Sequence, residues 1–265
     1  MAGGVGAVLR AIGRPVRARL RIVFGTAGLA AWIATRAVRP GTWQRATVRA
    51  EFFRRLRQSL LGGLLATLVL GVVVGAGLVF QGIYWLGAAG QRQLLASILV
   101  TVLVRELVPV LVGLLLLGRA GTVTIAELGA MRSGGGTRAH AILGVDNGLL
   151  FALPATVAYA LAAFTLGVAC ASLALVTGSL TAFLLGDRTV EVFGSLNDVL
   201  QAMRPVDAVL FPLKLLILGA LVGVTASHTA LSAEESVATA DLLPTGFVRG
   251  VLAVVVTSAL MSLAA

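Results

Sequence analysis

The stretch LLASILVTVLVRELVPVLVGLLLLG, residues 94–118, decides the fold class of this chain. Its 17 Leu, Val and Ile residues make it apolar, and it exceeds the ~20 residues that a helix needs to cross the hydrocarbon core of a bilayer. Arg105 and Glu106 stand at its midpoint, where a charge costs roughly 2.5–3.5 kcal/mol on insertion scales. Because each apolar residue returns roughly 0.3–0.6 kcal/mol, we expect the helix to insert. Its charged face should avoid lipid, which indicates a transport or channel component.

The whole chain has the composition of a membrane protein. Of its 265 residues, 58% are hydrophobic and 12% are charged, whereas soluble domains carry about 25% charged residues. The mean hydropathy is +0.99. We predict an all-α, multi-pass membrane protein with about five transmembrane helices, preceded by an amphipathic interfacial helix. The predicted spans are residues 59–80, 94–118, 148–180, 205–227 and 243–264.

Positive charge is concentrated at the amino terminus. Residues 1–57 carry 12 of the 21 basic residues and a single acid, Glu51. Basic residues beside a first span keep that side in the cytoplasm, so we predict a cytoplasmic amino terminus. The loops 119–147 and 228–242 are then cytoplasmic as well. We divide the chain into this basic region, 1–57, and a transmembrane domain, 58–265.

The basic region has the pattern of an amphipathic helix. An apolar stripe beside an arginine stripe is typical of a helix that lies in the lipid headgroup layer, and Trp32 and Trp43 suit that depth. A cleaved secretory signal is disfavoured because the first strongly apolar span begins near residue 59. The two stripes are formed by Leu9, Ile12, Val16, Leu20, Val23, Phe24 and Ala27, and by Arg10, Arg14, Arg17 and Arg21.

Motifs for catalysis are absent from the sequence. There is no Walker A, HExxH or GxSxG motif, and the only lysine, Lys214, lies in a hydrophobic run. His140 and His228 stand apart in predicted loops, so neither is assigned a catalytic or metal-binding role. We predict a chain that is not an enzyme and holds no metal or cofactor of its own. Uphill transport would draw its energy from a partner or an ion gradient.

Glycines supply two candidate packing motifs within the predicted spans. Gly71 and Gly75 in the first span, and Gly219 and Gly223 in the fourth, have the small-xxx-small spacing of closely packed helices. Packing within the chain and packing between two copies both fit this spacing. The segment after the second span, residues 118–147, is rich in glycine and mixed charge, which predicts part helix and part glycine turn. It is either a docking surface for another protein or a plain connector.

The segment RELVPVLVGLLLLGRAGTVTIAELGAMR, Arg105 to Arg132, resembles MlaE-type permeases of lipid-transporting ABC systems. That family reads roughly RELGPVLxALLxAGRxGSAxxAEIGxM here, and the match resumes near Gly144 and Pro154. The positions that match without a gap include Arg105, Glu106, Leu107, Pro109, Val110, Gly118, Arg119, Gly121, Ala126, Glu127, Gly129 and Met131.

The resemblance implies a permease in the bacterial inner membrane that moves phospholipids or related hydrophobic molecules. It implies three partners: a cytoplasmic ABC ATPase that binds ATP and Mg, a periplasmic MCE-domain protein that forms the conduit, and a second permease copy. No nucleic-acid partner is expected. The ATPase would dock on the loop after the second span, where the candidate contacts are Arg119, Glu127, Met131, Arg132 and Arg138.

Several positions depart from the family. Gly134–Gly136 stand where the family usually has Thr-Glu-Gln, Asn147 replaces a proline, and Ala155 replaces an arginine. The family's Thr-Thr-Arg element is not evident in residues 238–250. Glycines also weaken a docking helix, by about 1 kcal/mol each relative to alanine. We hypothesise a divergent permease that pairs with a more typical one in a heterodimer, with a homodimer as the alternative.

The charged pair suggests a mechanism. Adjacent helical residues point about 100° apart, so Arg105 and Glu106 cannot share one partner. We predict that one faces a substrate cavity and that a neighbouring helix satisfies the other, with Lys214 as the candidate partner of Glu106. Arg105 can then meet a lipid phosphate, which a guanidinium binds well. The alternatives are a structural ion pair between spans, an autonomous secondary transporter or channel that uses these three residues as a relay, and a non-transporting membrane scaffold.

Overall fold

The computed structural model describes residues 21–88, 90, 99–185, 205–233 and 237–263, and these residues form helices and turns with no strand among them. Five helices are long and apolar enough to cross a membrane, and we number them as the first to fifth span. The predicted all-α fold with five spans is thereby confirmed, in the predicted order. The spans are Ala46–Ala88, Thr101–Ser133, Gly148–Leu184, Val206–Ser232 and Thr239–Leu263.

The first span is much longer than its apolar part. It is a single helix of 43 residues, about 65 Å long at 1.5 Å per residue, roughly twice the thickness of the hydrocarbon core. Residues 46–58 therefore extend the predicted span 59–80 beyond the membrane. Arg49 and Arg57 are exposed on this extension. The helix runs across the predicted domain boundary at 57/58, which stays a prediction.

The second span continues beyond its predicted end at residue 118. Two π-helical segments, Leu99–Leu107 and Leu117–Gly121, alternate with the α-helices Val108–Leu116 and Thr122–Ser133. The last helix persists because Thr124, Ile125, Leu128 and Gly129 are buried. The expectation that 119–147 is a loop is therefore wrong for its first half. Glu106 lies about 40 Å along the helix axis from Ser133, where the second span ends.

The third span forms the centre of the bundle and packs against both the first and the fourth spans. It begins with a π-helical turn, Gly148–Ala152, and continues as the α-helix Leu153–Leu184. Its buried positions are mostly small residues, which let neighbouring helices approach closely. The buried alanines are Ala152, Ala155, Ala158, Ala162, Ala163, Ala171, Ala174 and Ala182.

The described part of the amino-terminal region is helical at 21–37 and Pro40–Trp43. Val23 and Phe24 of the predicted apolar stripe are exposed, and the position of this helix in the headgroup layer stays a prediction. Ile33 is instead buried in a cluster with Leu149 and Val224 of the third and fourth spans. The helix thus packs against the bundle as well. The stripe residues Leu9 to Leu20 lie outside the described part of the chain.

A tight turn follows the second span. Gly134 and Gly135 separate it from the helix Gly136–Ile142, and Gly135 adopts φ +75°, a left-handed conformation that favours glycine. Asp146 then caps the third span, since its Oδ1 accepts hydrogen bonds from the backbone N–H of Gly148 at 2.9 Å and of Leu149 at 3.4 Å. The segment is part helix and part glycine turn, as the sequence predicted.

The connection between the fourth and fifth spans is shorter than predicted. The fourth span extends to Ser232 and the fifth begins at Thr239, so most of the predicted loop 228–242 is helical. His228 lies within the fourth span and not in a solvated loop. Its ring packs against Gly25 of the amino-terminal helix, which ties that helix to the bundle.

Candidate functional site

The second and fourth spans bring four charged residues together. Arg105 and Glu106 of the second span lie beside Asp207 and Lys214 of the fourth. Asp207 and Lys214 are seven residues apart, which is two helical turns, so they share one helix face. The group contains two cations and two anions, and its formal charges cancel. We call these four residues the charged site.

Lys214 is the buried centre of the charged site. Only 1% of its side chain is exposed, yet its ammonium donates three hydrogen bonds. The acceptors are the Arg105 carbonyl oxygen at 2.9 Å, Glu106 Oε2 at 3.1 Å and Ser262 Oγ at 2.8 Å. An ammonium carries three N–H donors, so each has a partner. The pairing of Lys214 with Glu106 that the sequence predicted is present, and Ser262 adds the fifth span to the site.

Arg105 contacts a second residue of the fourth span. Its Nη1 lies 3.8 Å from Asp207 Oδ1, which is an ion pair longer than a hydrogen bond. Arg105 also lines a cavity of about 10 Å³, which is the space of one water molecule. The fourth span satisfies Glu106, as the sequence predicted, whereas the expectation that Arg105 faces a substrate cavity stays a prediction. The cavity is lined by Val104, Arg105, Asp207, Leu210, Phe211 and Lys214.

Of the two cations, Arg105 has the longer contact with its carboxylate partner. Lys214 is fully engaged, whereas the guanidinium of Arg105 faces its carboxylate partner at a distance too long for a direct hydrogen bond. A guanidinium presents donors in a fork that matches carboxylate or phosphate geometry. Glu106 remains 39% exposed, so the site has one open edge. No catalytic step is implied by these residues.

The five predicted ATPase contacts lie in different environments. Arg119 and Arg138 are exposed, and Met131 is half-buried. Glu127 contacts two arginines of the first span. Its Oε2 accepts a hydrogen bond from Arg54 Nη2 at 3.3 Å and forms an ion pair with Arg55 Nη2 at 2.6 Å. Arg132 Nη1 donates to the carbonyl oxygen of Ala230 at 3.1 Å, at the end of the fourth span. Two of the five side chains, those of Glu127 and Arg132, therefore join the segment 118–147 to the rest of the bundle.

All four predicted packing glycines lie against the third span of the same chain. A Cβ at Gly71 would lie 2.9 Å from the carbonyl oxygen of Cys170, and one at Gly75 would collide with Ala174. In the fourth span, Gly219 lies against the Tyr159 carbonyl, and a Cβ at Gly223 would lie 2.5 Å from Thr156 Cα. Of the two possibilities that the spacing left open, packing within the chain is confirmed.

Three contact residues escaped the sequence reasoning. The sequence could have indicated Asp207, because Asp207 precedes Lys214 by two helical turns and therefore lies on the same face of the helix. Arg55 was counted only with the basic terminus, although Glu51 precedes it by four residues, a spacing that favours ion pairs in a helix. Ser262 had no signal, since a serine near the end of a span has no charge or spacing that singles it out.

Comparisons with known proteins agree with the arrangement of the spans. The model of one protein family, described as Permease MlaE, matches residues 52–264, which include all of the second to fifth spans and most of the first. A search of curated proteins found no match. Because the family model covers most of the sequence, the chain belongs to the MlaE permease family of membrane-spanning transporter subunits.

Proposed function

We propose that this chain is the permease subunit of an ABC-type transporter that moves phospholipids or related hydrophobic molecules. It works between the bacterial inner membrane and a periplasmic MCE-protein conduit, and a separate ATPase supplies the energy. The observation that carries the proposal is the match to the permease family over residues 52–264. The charged site between the second, fourth and fifth spans supports it, because intramembrane charges mark substrate paths.

The proposed orientation places the amino terminus and the segment 118–147 in the cytoplasm. The long extension of the first span meets that segment through Arg55 and Glu127, so both lie at one end of the bundle. Exposed basic residues cluster there, which the positive-inside rule assigns to the cytoplasmic side. They are Arg39, Arg45, Arg49, Arg57, Arg119 and Arg138.

In the proposed path, the phosphate of a lipid replaces Asp207 as the partner of Arg105. The cavity of about 10 Å³ beside Arg105 is far smaller than the several hundred Å³ of ordinary ligand sites. The path therefore opens by a shift of the fourth span or is completed by a second permease copy. Lys214 holds Glu106 and the second span in place while Arg105 exchanges its partner.

The proposed ATPase contact is the short helix after the glycine turn. Residues 122–133 have a buried face inside the bundle, whereas the helix Gly136–Ile142 has no buried residue. Ile142 and Leu143 are 79% and 75% exposed, and Arg138 is exposed beside them. Exposed apolar side chains rimmed by a charge are typical of protein docking surfaces.

The second permease copy is either a more typical permease or another molecule of this chain, and co-purification distinguishes these two possibilities. Native membranes that carry the tagged chain should yield an ATPase together with an MCE-domain protein. An additional, more typical permease would favour the heterodimer, and a stable ATPase-binding complex of this chain alone would favour the homodimer. Recovery of neither an ATPase nor an MCE-domain protein would contradict the proposed function.

Lipid transfer tests the role of the charged site. In proteoliposomes that contain the purified complex, Arg105→Ala and Glu106→Gln should each lower lipid transfer per folded molecule. Arg57→Ala is the matched control, because it removes an exposed arginine outside the charged site. If Arg105→Ala and Glu106→Gln lower only the folded yield, the residues form a structural ion pair and the proposed path is wrong.

A further inference from the structure

A second group of charges lies at the other end of the second span. Arg55 in the first span has a side chain that is 2% exposed, and it reaches three acceptors. Its Nε donates to Glu51 Oε1 at 2.8 Å and its Nη1 to Thr124 Oγ1 at 3.0 Å. Its Nη2 lies 2.6 Å from Glu127 Oε2. The guanidinium thus links the first span to the last helical segment of the second span.

The polar contacts continue into the third span. The hydroxyl of Thr124 lies 2.5 Å from the hydroxyl of Tyr159, and the Tyr159 hydroxyl also donates to the Ala120 carbonyl at 3.1 Å. Thr124 and Tyr159 are both buried. One chain of contacts, from Arg55 through Thr124 to Tyr159, therefore joins three spans.

Stability alone does not account for such a group. A buried ion pair can often be replaced by apolar residues of similar volume without loss of stability. Apolar side chains also lie near Arg55, since Phe52 and Leu56 pack against the core cluster that contains Tyr159. Unlike an apolar side chain, a guanidinium among these residues fixes the relative positions of several polar partners through directional hydrogen bonds.

The partners of Arg55 are placed where docking would act. Glu127 and Thr124 belong to the helix Thr122–Ser133, which ends at the glycine turn before Gly136–Ile142. If a bound ATPase displaces the helix Gly136–Ile142, the movement reaches the bundle through the helix Thr122–Ser133. Glu127 and Thr124 are two points on that helix where Arg55 holds it to the first span.

We propose that Arg55 is a positioning residue. It transmits movement of the docking segment, residues 118–147, to the first and third spans. Transmission runs through Glu127 and through Thr124 to Tyr159. This inference rests on the proposed function, because it requires an ATPase at the docking segment. Arg55 touches no substrate in this scheme. It sets how much lipid transfer accompanies each ATP hydrolysed.

Arg54 supplies a matched control. It is the adjacent residue and contacts the same two carboxylates, Glu51 at 2.7 Å and Glu127 at 3.3 Å. Its side chain is 49% exposed, and its hydrogen bonds to side chains in the described structure go to these carboxylates and not to Thr124. Arg54→Gln therefore removes the same charge without breaking the link to the third span.

The test uses proteoliposomes with the complete complex of this chain and its co-purified ATPase. The measured quantity is lipid transferred per ATP hydrolysed. Arg55→Gln should lower this ratio about five-fold or more, within the range that substitutions along coupling networks produce. Arg54→Gln should change it by less than about two-fold, as expected for an exposed ion pair. The ATPase should stay bound in both variants.

Thr124→Val and Thr124→Ser keep the test decisive if Arg55→Gln does not fold. Thr124→Val retains the shape of the side chain and the ion pairs but removes the hydroxyl, so the ratio should fall. Thr124→Ser restores the hydroxyl and should rescue it. An unchanged ratio in folded Arg55→Gln or Thr124→Val complexes, or an equal fall in Arg54→Gln, would overturn this inference alone. A wild-type chain that captures no ATPase would overturn the proposed function and this inference with it.

Discussion

The ammonium of Lys214 donates a 2.9 Å hydrogen bond to the backbone carbonyl oxygen of Arg105. In an α-helix that carbonyl would accept the N–H of the residue four positions later, which is Pro109. Proline has no N–H to donate. The Arg105 carbonyl lies in the π-helical segment Leu99–Leu107, Pro109 could not serve as its α-helical partner, and the side chain of Lys214 donates to it. A backbone feature of one span and the only lysine of the chain thus form one contact.

Lys214→Met should destabilise the folded chain strongly. The substitution leaves Glu106 without its partner and removes donors from the Arg105 carbonyl and from Ser262. Breaking a fully buried ion pair typically costs about 3–5 kcal/mol, and we expect the lower end of that range because Glu106 is 39% exposed. Ser262→Ala is the control, because it removes one acceptor of the ammonium and leaves the ion pair with Glu106, at a smaller cost of about 1.5–3 kcal/mol. Thermal unfolding in detergent, followed by tryptophan fluorescence, measures both. Equal shifts of the two variants would contradict a central role for the ammonium.

Pro109→Ala should reduce the cost of losing Lys214. Alanine restores a backbone N–H that can bond to the Arg105 carbonyl, so that acceptor no longer depends on the fourth span. A double-mutant cycle of Pro109→Ala with Lys214→Met should give a coupling energy of about 0.5–3 kcal/mol, the range for residues that share a partner. Additive effects would mean that the carbonyl is satisfied independently of Lys214.

Gly219→Ala should prevent the fourth span from packing on the third. A Cβ at this position would collide with the Tyr159 backbone carbonyl and with Ala163, and backbone cannot move away as a flexible side chain can. Gly77→Ala is the matched control, because nothing lies within 4 Å of a Cβ there. The control should leave the folded yield unchanged or raise stability by up to about 1 kcal/mol. The fraction of monodisperse protein in size-exclusion chromatography distinguishes the two outcomes.

Asn147→Ala should loosen the short helix Gly136–Ile142. Asn147 Nδ2 donates to the Thr137 carbonyl at 3.0 Å, and its Oδ1 lies 2.9 Å from His140 Nδ1. Without this side chain, the backbone amides of the helix should exchange with deuterium faster. The family's proline at this position, Asn147→Pro, removes the same two bonds and should have the same effect. Thr137→Ala keeps the carbonyl acceptor and should leave the exchange rates unchanged.

The charged site was partly predictable from the sequence. Arg105 and Glu106 stand out because charge is rare in an apolar span, and Lys214 stands out as the only lysine. Their pairing followed because a buried charge requires an opposite charge. Asp207 and Ser262 were not expected, since their contribution depends on which faces of the fourth and fifth spans turn toward the second.

For residues 118–147, the sequence predicted helix and glycine turn but not the contacts that these residues make. Glu127 and Arg132 were expected to contact an ATPase, which stays a prediction, and their side chains also bind Arg54, Arg55 and the Ala230 carbonyl. Local sequence marks these residues as polar and helical and leaves open which side of the helix faces the bundle. The end of the second span at Ser133 was missed for the same reason: the apolar side chains that keep 122–133 helical are buried against distant spans.

The sequence by itself determined that this chain is an all-helical membrane protein with five spans, because length and hydropathy alone set the cost of leaving or entering a bilayer. It also identified the permease family through an ungapped block of identities between Arg105 and Met131. Only the tertiary structure decided which glycines meet the third span, which residues complete the charged site, and that Arg55 joins three spans. These contacts depend on helix rotation and crossing, which arise from side-chain packing between segments far apart in the chain.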